Sequence, residues 1–170
     1  GHYWISVPKS TAKAKAPFST VLWSHGTTLH ADEILVRAGY FAQQGLAMMG
    51  IDMPGHGLYL NRSLEQFAQV ALTGACLTPW VDAITTGRHH DLNNDGTPDS
   101  GGYLWTAHLF HSRDNIRQAV IDMTQSTRIL RAFGTVRTQD YNGDGALDLL
   151  GDFNADGVPD LGGPGTKIYS

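Results

Sequence analysis

The chain has 170 residues, 12 Lys plus Arg against 16 Asp plus Glu for a formal charge of −4, and 41% hydrophobic with 9% aromatic residues. That much apolar material supports a packed core and excludes wholesale disorder. No run reaches the ~18 to 20 apolar residues of a membrane-spanning helix, the scattered basic residues form no stripe for a nucleic acid, and a lone Cys76 excludes a disulfide framework.

Residues 3–7, Tyr-Trp-Ile-Ser-Val, read as a strand, and Pro8 to Pro17 as an aperiodic Lys/Ala/Ser/Thr connector. Phe18 to Ser24 is β-branched and aromatic and predicts a buried strand, broken by Ser24-His25-Gly26-Thr27-Thr28. Asp32 then caps a helix to about Gln44, with Ile34, Leu35, Ala38, Phe41 and Ala42 as its apolar stripe and Gly45 as its stop. The uninterrupted apolar run Leu46 to Ile51 has the character of a parallel strand covered on both faces.

After the tight loop Asp52-Met53-Pro54-Gly55-His56-Gly57, a helix is expected over Ser63 to Leu77, with Cys76 in the core. A longer one over 113–133 places Ile116, Val120, Met123, Thr127, Leu130 and Phe133 on one face and ends at Gly134. Lys167-Ile168-Tyr169 opens another β-like run. Alternating strands and helices predict an α/β fold, a mostly parallel sheet flanked by helices, in a single domain over residues 1–170. With its last strand cut short, that sheet is expected to be incomplete.

Only Glu33 and Glu65 are glutamates, and nine of the fourteen aspartates fall in three short segments whose removal turns the charge from −4 to +5. Asp91, Asn93, Asp95, Thr97 and Asp99 stand in register with Asp140, Asn142, Asp144, Ala146 and Asp148 and with Asp152, Asn154, Asp156, Val158 and Asp160. All three segments read D-x-N-x-D-G-x-x-D. Oxygen ligands at positions 1, 3 and 5, glycine at 6 for the sharp turn, a backbone carbonyl at 7 and a further carboxylate suit Ca²⁺, which takes ~6 to 8 oxygens. Asn-Asp-Gly strings also favour plain Asx turns; the threefold recurrence favours calcium loops, at 91–102 and 140–163.

These loops resemble the calcium repeats of dockerins and thrombospondin type 3 modules, whose tandem copies also stand twelve residues apart, as Asp140 and Asp152 do. Gly102, Gly151 and Gly163 stand where an EF-hand has its bidentate Glu, so the late carboxylate falls to Asp99, Asp148 and Asp160. The resemblance implies a secreted, extracellular protein. No leader opens the chain, so a signal peptide is expected to have been removed. The tandem pair, lying before the strand at Lys167, is expected at the N-terminal edge of the sheet, away from chemistry, whereas the Asp91 loop is free to lie on the catalytic side.

The order strand, Ser24-His25-Gly26-Thr27, helix, apolar strand, Asp52-x-Pro54-Gly55-His56-Gly57 resembles the N-terminal half of an α/β-hydrolase of the esterase/lipase type, over roughly residues 18–57 and 113–170. The resemblance implies that His25, Gly26 and Thr27 form an oxyanion loop, with the Thr27 N–H aimed at the developing charge, and that the substrate is an ester. Gly26, Gly55 and Gly57 alternatively just permit positive φ in tight turns. His56 is read as satisfying loop carbonyls, and His89, His90, His108 and His111, without zinc spacing, as polar loop residues.

No G-x-S-x-G occurs. The run at Lys167 resembles the strand leading into the nucleophile elbow, which is therefore expected beyond Ser170, with the acid and base beyond it. A C-terminal continuation or a second polypeptide is then the expected partner, and the isolated chain is expected to be inactive. The alternative is a calcium-binding structural or adhesion module on a hydrolase-like half-sheet.

Overall fold

A computed structural model describes residues 2–75, 77–102, 104–140 and 143–170. The chain divides into two compact units: Ser24–Glu33 and Ile51–Val120 with the amino-terminal residues through Tyr3, and Trp4–Trp23, Ile34–Gly50 and Ile121–Ser170. Strands β1 (Tyr3–Ser6), β2 (Thr20–Trp23), β3 (Ala47–Ile51) and β4 (Ile168–Tyr169) form one sheet in the order β1-β3-β2-β4. Strand β2 pairs in parallel with β3, Thr20 opposite Ala47 and Leu22 opposite Met49, and with β4, Thr20 opposite Ile168. The α/β class expected from the alternating pattern is therefore the class observed.

The apolar run read as a doubly covered strand is one: every residue of β3 is buried. Helix α1 (Ile34–Gln43) follows it in character if not in order, closing at Gly45, whose N–H donates to the Ala42 carbonyl at 3.0 Å. Two details of that helix correct the sequence reading. It begins in a 3₁₀ turn at Ala31–Glu33, with Asp32 bonded to His30 Nδ1 instead of capping the helix. Its apolar stripe is also only partly covered: Ile34 is buried but Leu35 is 52% exposed. Within the same unit Phe41 meets Trp23 edge to face at 6.3 Å, and the Arg37 guanidinium lies 4.7 Å from the Trp23 ring centroid.

Helix α2 spans Arg62–Thr73, capped by Asn61, whose side chain accepts the Leu64 N–H at 3.0 Å. It stops four residues short of the expected end, and a separate helix α3 (Thr78–Thr85) starts with a proline in its first turn. Cys76 and its expected place in the core lie outside the described residues. Helix α4 (Leu109–Ala132) buries Leu130 while Ile116 and Val120 of the expected stripe are exposed; Ser112, Asn115 and Ser126 are buried instead. Among the described residues no helix is long and apolar enough to cross a membrane.

In the second unit the tandem aspartate segments close onto the sheet. The Phe18 N–H donates to the Asp160 carbonyl at 2.9 Å and Phe18 bridges Leu161 in parallel, two residues before β2 begins. The tandem pair meets the end of α4, where the Gly134 N–H donates to the Leu150 carbonyl at 2.8 Å, between the two copies, and Phe133 packs on Phe153 of the third. Residues 140–163 thus reach β2 at its N-terminal end.

Candidate functional site

The chain leaves β2 at Ser24 and enters a loop whose first side chain is its anchor. His25 is buried; its Nε2 accepts the Met53 N–H at 3.0 Å, and its Nδ1 lies 2.9 Å from the Gly26 carbonyl. The amide must donate, so Nε2 is bare and the hydrogen sits on Nδ1. Asp52, the residue before Met53, accepts the Ala31 N–H through Oδ1 at 2.7 Å, and Arg88 Nη1 donates to the Asp52 carbonyl at 3.0 Å. Both ends of the 25–31 loop are therefore tied to one turn.

Between those ties the loop tip is exposed. The Leu29 N–H donates to the Gly26 carbonyl at 3.1 Å, and Thr28 adopts a φ of 67°, a left-handed conformation that a β-branched residue enters only under constraint. Among the described residues the Thr27 N–H has no hydrogen-bond partner, and Thr27 faces solvent. A free backbone donor on a braced turn is what charge stabilisation at a carbonyl oxygen requires.

The second turn, Asp52–Gly57, is stitched to Gly87-Arg88: the Gly55 N–H donates to the Arg88 carbonyl at 3.0 Å and the Arg88 N–H to the His56 carbonyl at 2.6 Å. His56 is wholly buried. Its Nδ1 lies 3.0 Å from the Pro54 carbonyl, as the sequence reading of a carbonyl-satisfying residue expects, but its Nε2 is buried without a hydrogen-bond partner. Burial pushes its pKa below the ordinary imidazole value. His89, read as a polar loop residue, is also partly buried, and its Nε2 likewise has no partner.

Ser24 and Ser170 are exposed, Ser100 Oγ accepts the Gly57 N–H at 3.2 Å, and among the described residues none of these three serines bonds a histidine. Residues that matter to the bracing, Met53, Arg88 and Ser100, escaped the sequence reading. They contribute through backbone groups or at separations of 28 to 43 residues, for which no local pattern exists.

The three aspartate segments share one internal architecture. In the first, Asp91 accepts the N–H groups of Asp95 and Gly96, Asn93 accepts that of Asp95, and Asp95 accepts that of Thr97. In the third, Asp152 accepts from Asp156 and Gly157, Asn154 from Asp156, and Asp156 from Val158. Asp140 accepts from Asp144 and Gly145, and Asp144 from Ala146, while Asn142 lies outside the described residues. Position 9 also recurs: Asp99 accepts the Leu92 N–H and Asp160 the Phe153 N–H. Position 6 is left-handed in all three, at φ 85° for Gly96, 88° for Gly145 and 85° for Gly157, which explains the invariant glycine. Among the described residues no three His, Cys, Asp or Glu side chains form a metal-holding group. The donor set of each loop instead mixes carboxylates with Asn and carbonyl oxygens, and its first aspartate is turned onto backbone N–H groups.

A family model described as Esterase FrsA-like matches residues 5–88, the stretch that holds both braced turns. Residues 5–88 are similar to that esterase family. Esterase FrsA of Escherichia fergusonii is 37% identical over 75 residues, which cover 41% of this chain and 18% of that protein. The chain thus matches less than a fifth of that relative's length, and the aspartate segments lie beyond the family match. No solved structure matches.

Proposed function

We propose that this chain is the N-terminal portion of a secreted, calcium-stabilised serine hydrolase of the carboxylic ester hydrolase or lipase type. His25-Gly26-Thr27 is its oxyanion loop, and a C-terminal continuation or second polypeptide completes the sheet and supplies nucleophile, acid and base. The observation that carries this proposal is the Thr27 N–H, unpartnered among the described residues, of an exposed residue on a turn clamped through His25 and Asp52. An incoming serine hydroxyl would attack the ester carbonyl carbon while its proton passes to a histidine, and the Thr27 N–H would receive the charge forming on the carbonyl oxygen. The similarity of residues 5–88 to an esterase family supports the same assignment.

Calcium enters through the three aspartate loops. Positions 1, 3, 5 and 9 offer side-chain oxygens, and Thr97, Ala146 and Val158 offer carbonyls; a bound ion would neutralise the carboxylates these loops bring together. The recurring hydrogen-bond set of the loops favours a second reading, a calcium-binding structural or adhesion module without catalysis.

Hydrolysis of a small aryl ester separates the two. The isolated chain is expected to show none, and the chain joined to its nucleophile-bearing portion is expected to show turnover that a serine-directed phosphonate abolishes. An assembled protein that binds calcium yet cleaves no ester would establish the module instead.

A further inference from the structure

We infer that Ser100 and Gly101, the two residues that follow Asp99 at the end of the first D-x-N-x-D-G-x-x-D segment, position the candidate oxyanion turn. The loop is pinched shut just before them, where the Asp99 N–H donates to the His90 carbonyl at 2.8 Å and Asp99 Oδ2 accepts the Leu92 N–H at 3.1 Å. Beyond that neck, Ser100 Oγ accepts the N–H of buried Gly57, and the Gly101 N–H donates to the Gly55 carbonyl at 2.9 Å. One dipeptide therefore holds both ends of the Gly55-His56-Gly57 turn.

Its other side meets Thr28. Gly101 is buried with a φ of +76°, and a Cβ there would stand 2.7 Å from the Thr28 nitrogen and 2.9 Å from its Cα, closer than real Cβ atoms come. Glycine is needed for the backbone conformation and for the approach alike. Thr28 is the left-handed residue of the loop, and such a conformation in a threonine persists only where its surroundings hold it. Gly101 is the surface pressed against it on one side, while the Leu29-to-Gly26 bond closes the turn on the other. Ser100 and Gly101 touch no reacting atom in this arrangement. Gly101 acts through Thr28 on the direction of the adjacent Thr27 N–H, and Ser100, bonded to Gly57, holds Gly101 in place, which makes both positioning residues. The kinetic consequence rests on the ester-hydrolase reading; the contact between the two segments does not.

The test uses amide spectra of the 170-residue chain and kinetics of the chain joined to its nucleophile-bearing portion, with Ser100→Ala, Ser100→Thr and Gly101→Ala. Ser100→Ala and Gly101→Ala are expected to move the Thr27, Thr28 and Leu29 amide resonances and to speed exchange of the Leu29 N–H. Ser100→Thr, which keeps the hydroxyl, restores them. In the joined protein Ser100→Ala lowers kcat about tenfold at unchanged KM, a misdirected donor costing less than the ~10²-fold of a lost one. Should Gly101→Ala fail to fold, Ser100→Ala decides alone. Unmoved resonances for residues 27–29 in Ser100→Ala overturn the inference, as does a rise in KM at constant kcat. A joined protein that cleaves no ester defeats the ester reading, and the amide shifts then judge the positioning by themselves.

Discussion

The imidazoles of His25 and His56 lie with ring centroids 4.9 Å apart, tilted by 55°, and only His25 has a partner on both nitrogens. Both side chains are buried, and both sit at the root of a turn from the segment that matches the esterase family. His25 spans from its own loop to Met53, whereas His56 bonds within its own turn to Pro54 and leaves Nε2 bare. One ring is a brace between loops and the other fills the space against it.

Removing the brace has a definite cost. His25→Ala leaves the half-buried Met53 N–H without its acceptor, and an unpaired donor costs up to about 1–3 kcal/mol when fully shielded from water. His25→Gln, which offers an acceptor but not the Nδ1 donor, is expected to lose less. Urea unfolding of the two variants checks the order, and an unchanged midpoint for His25→Ala would show that the bond holds nothing together.

The second histidine makes stability depend on pH. Burial first, then the neighbouring His25, hold the His56 pKa below 6.5, against the opposing pulls of the Pro54 carbonyl bond and Asp52. Just below pH 6.5 the unfolded chain therefore binds the proton and the folded chain does not, so stability rises with pH there. The stabilisation is present above that value and is lost as pH falls toward the depressed folded pKa. Urea midpoints at about pH 7.5 and about pH 5.5 should differ more for the native chain than for His56→Gln, which carries no titrating ring. Equal differences would refute this.

Calcium is expected to raise the melting temperature. A site that binds only the folded chain contributes about RT ln(1 + [Ca²⁺]/Kd), ~2.7 kcal/mol at a hundredfold excess over Kd. Melting in calcium and in EGTA tests this, and identical curves would sink the calcium reading. Asp144→Ala and Asp156→Ala should reduce the shift through the tandem loops and spare the Asp91 loop; equal loss from all three loops would argue against separate sites.

Asp160 should stand apart from its counterparts even without an ion. It is buried, accepts the Phe153 N–H at 2.7 Å and the Asn154 side-chain amide at 3.1 Å, whereas Asp99 and Asp148 are half-buried. Asp160→Ala is expected to cost about 1–3 kcal/mol and Asp99→Ala less, because the donors at Asp160 are the better shielded from water. Chemical denaturation in EGTA measures both, and equal costs would contradict the difference in burial.

Patterns with a short period survived the passage from sequence to structure. The apolar run at Leu46–Ile51 became the buried strand β3, Gly45 stopped α1, and D-x-N-x-D-G spacing became the same hydrogen-bond circuit in successive loops. The stripes of α1 and α4 transferred less well. Spacing says that Leu35 and Val120 are apolar, but whether another element covers them depends on segments far along the chain, and at 52% and 61% exposure they are not covered.

The amino-acid sequence by itself determined the α/β alternation, the His-Gly loop after a β-branched strand, and three aspartate loops whose glycine follows from left-handed backbone. Each is a matter of a residue and its near neighbours, where propensity, turn chemistry and side-chain reach suffice. Tertiary structure alone decided that His25 is bound to Met53, that Ser100 and Gly101 are seated on the turns at Gly57 and Thr28, and that His56 keeps a bare nitrogen in a closed interior. Those relationships join residues tens of positions apart, mostly through backbone atoms that every residue type carries, so no choice of side chain announces them.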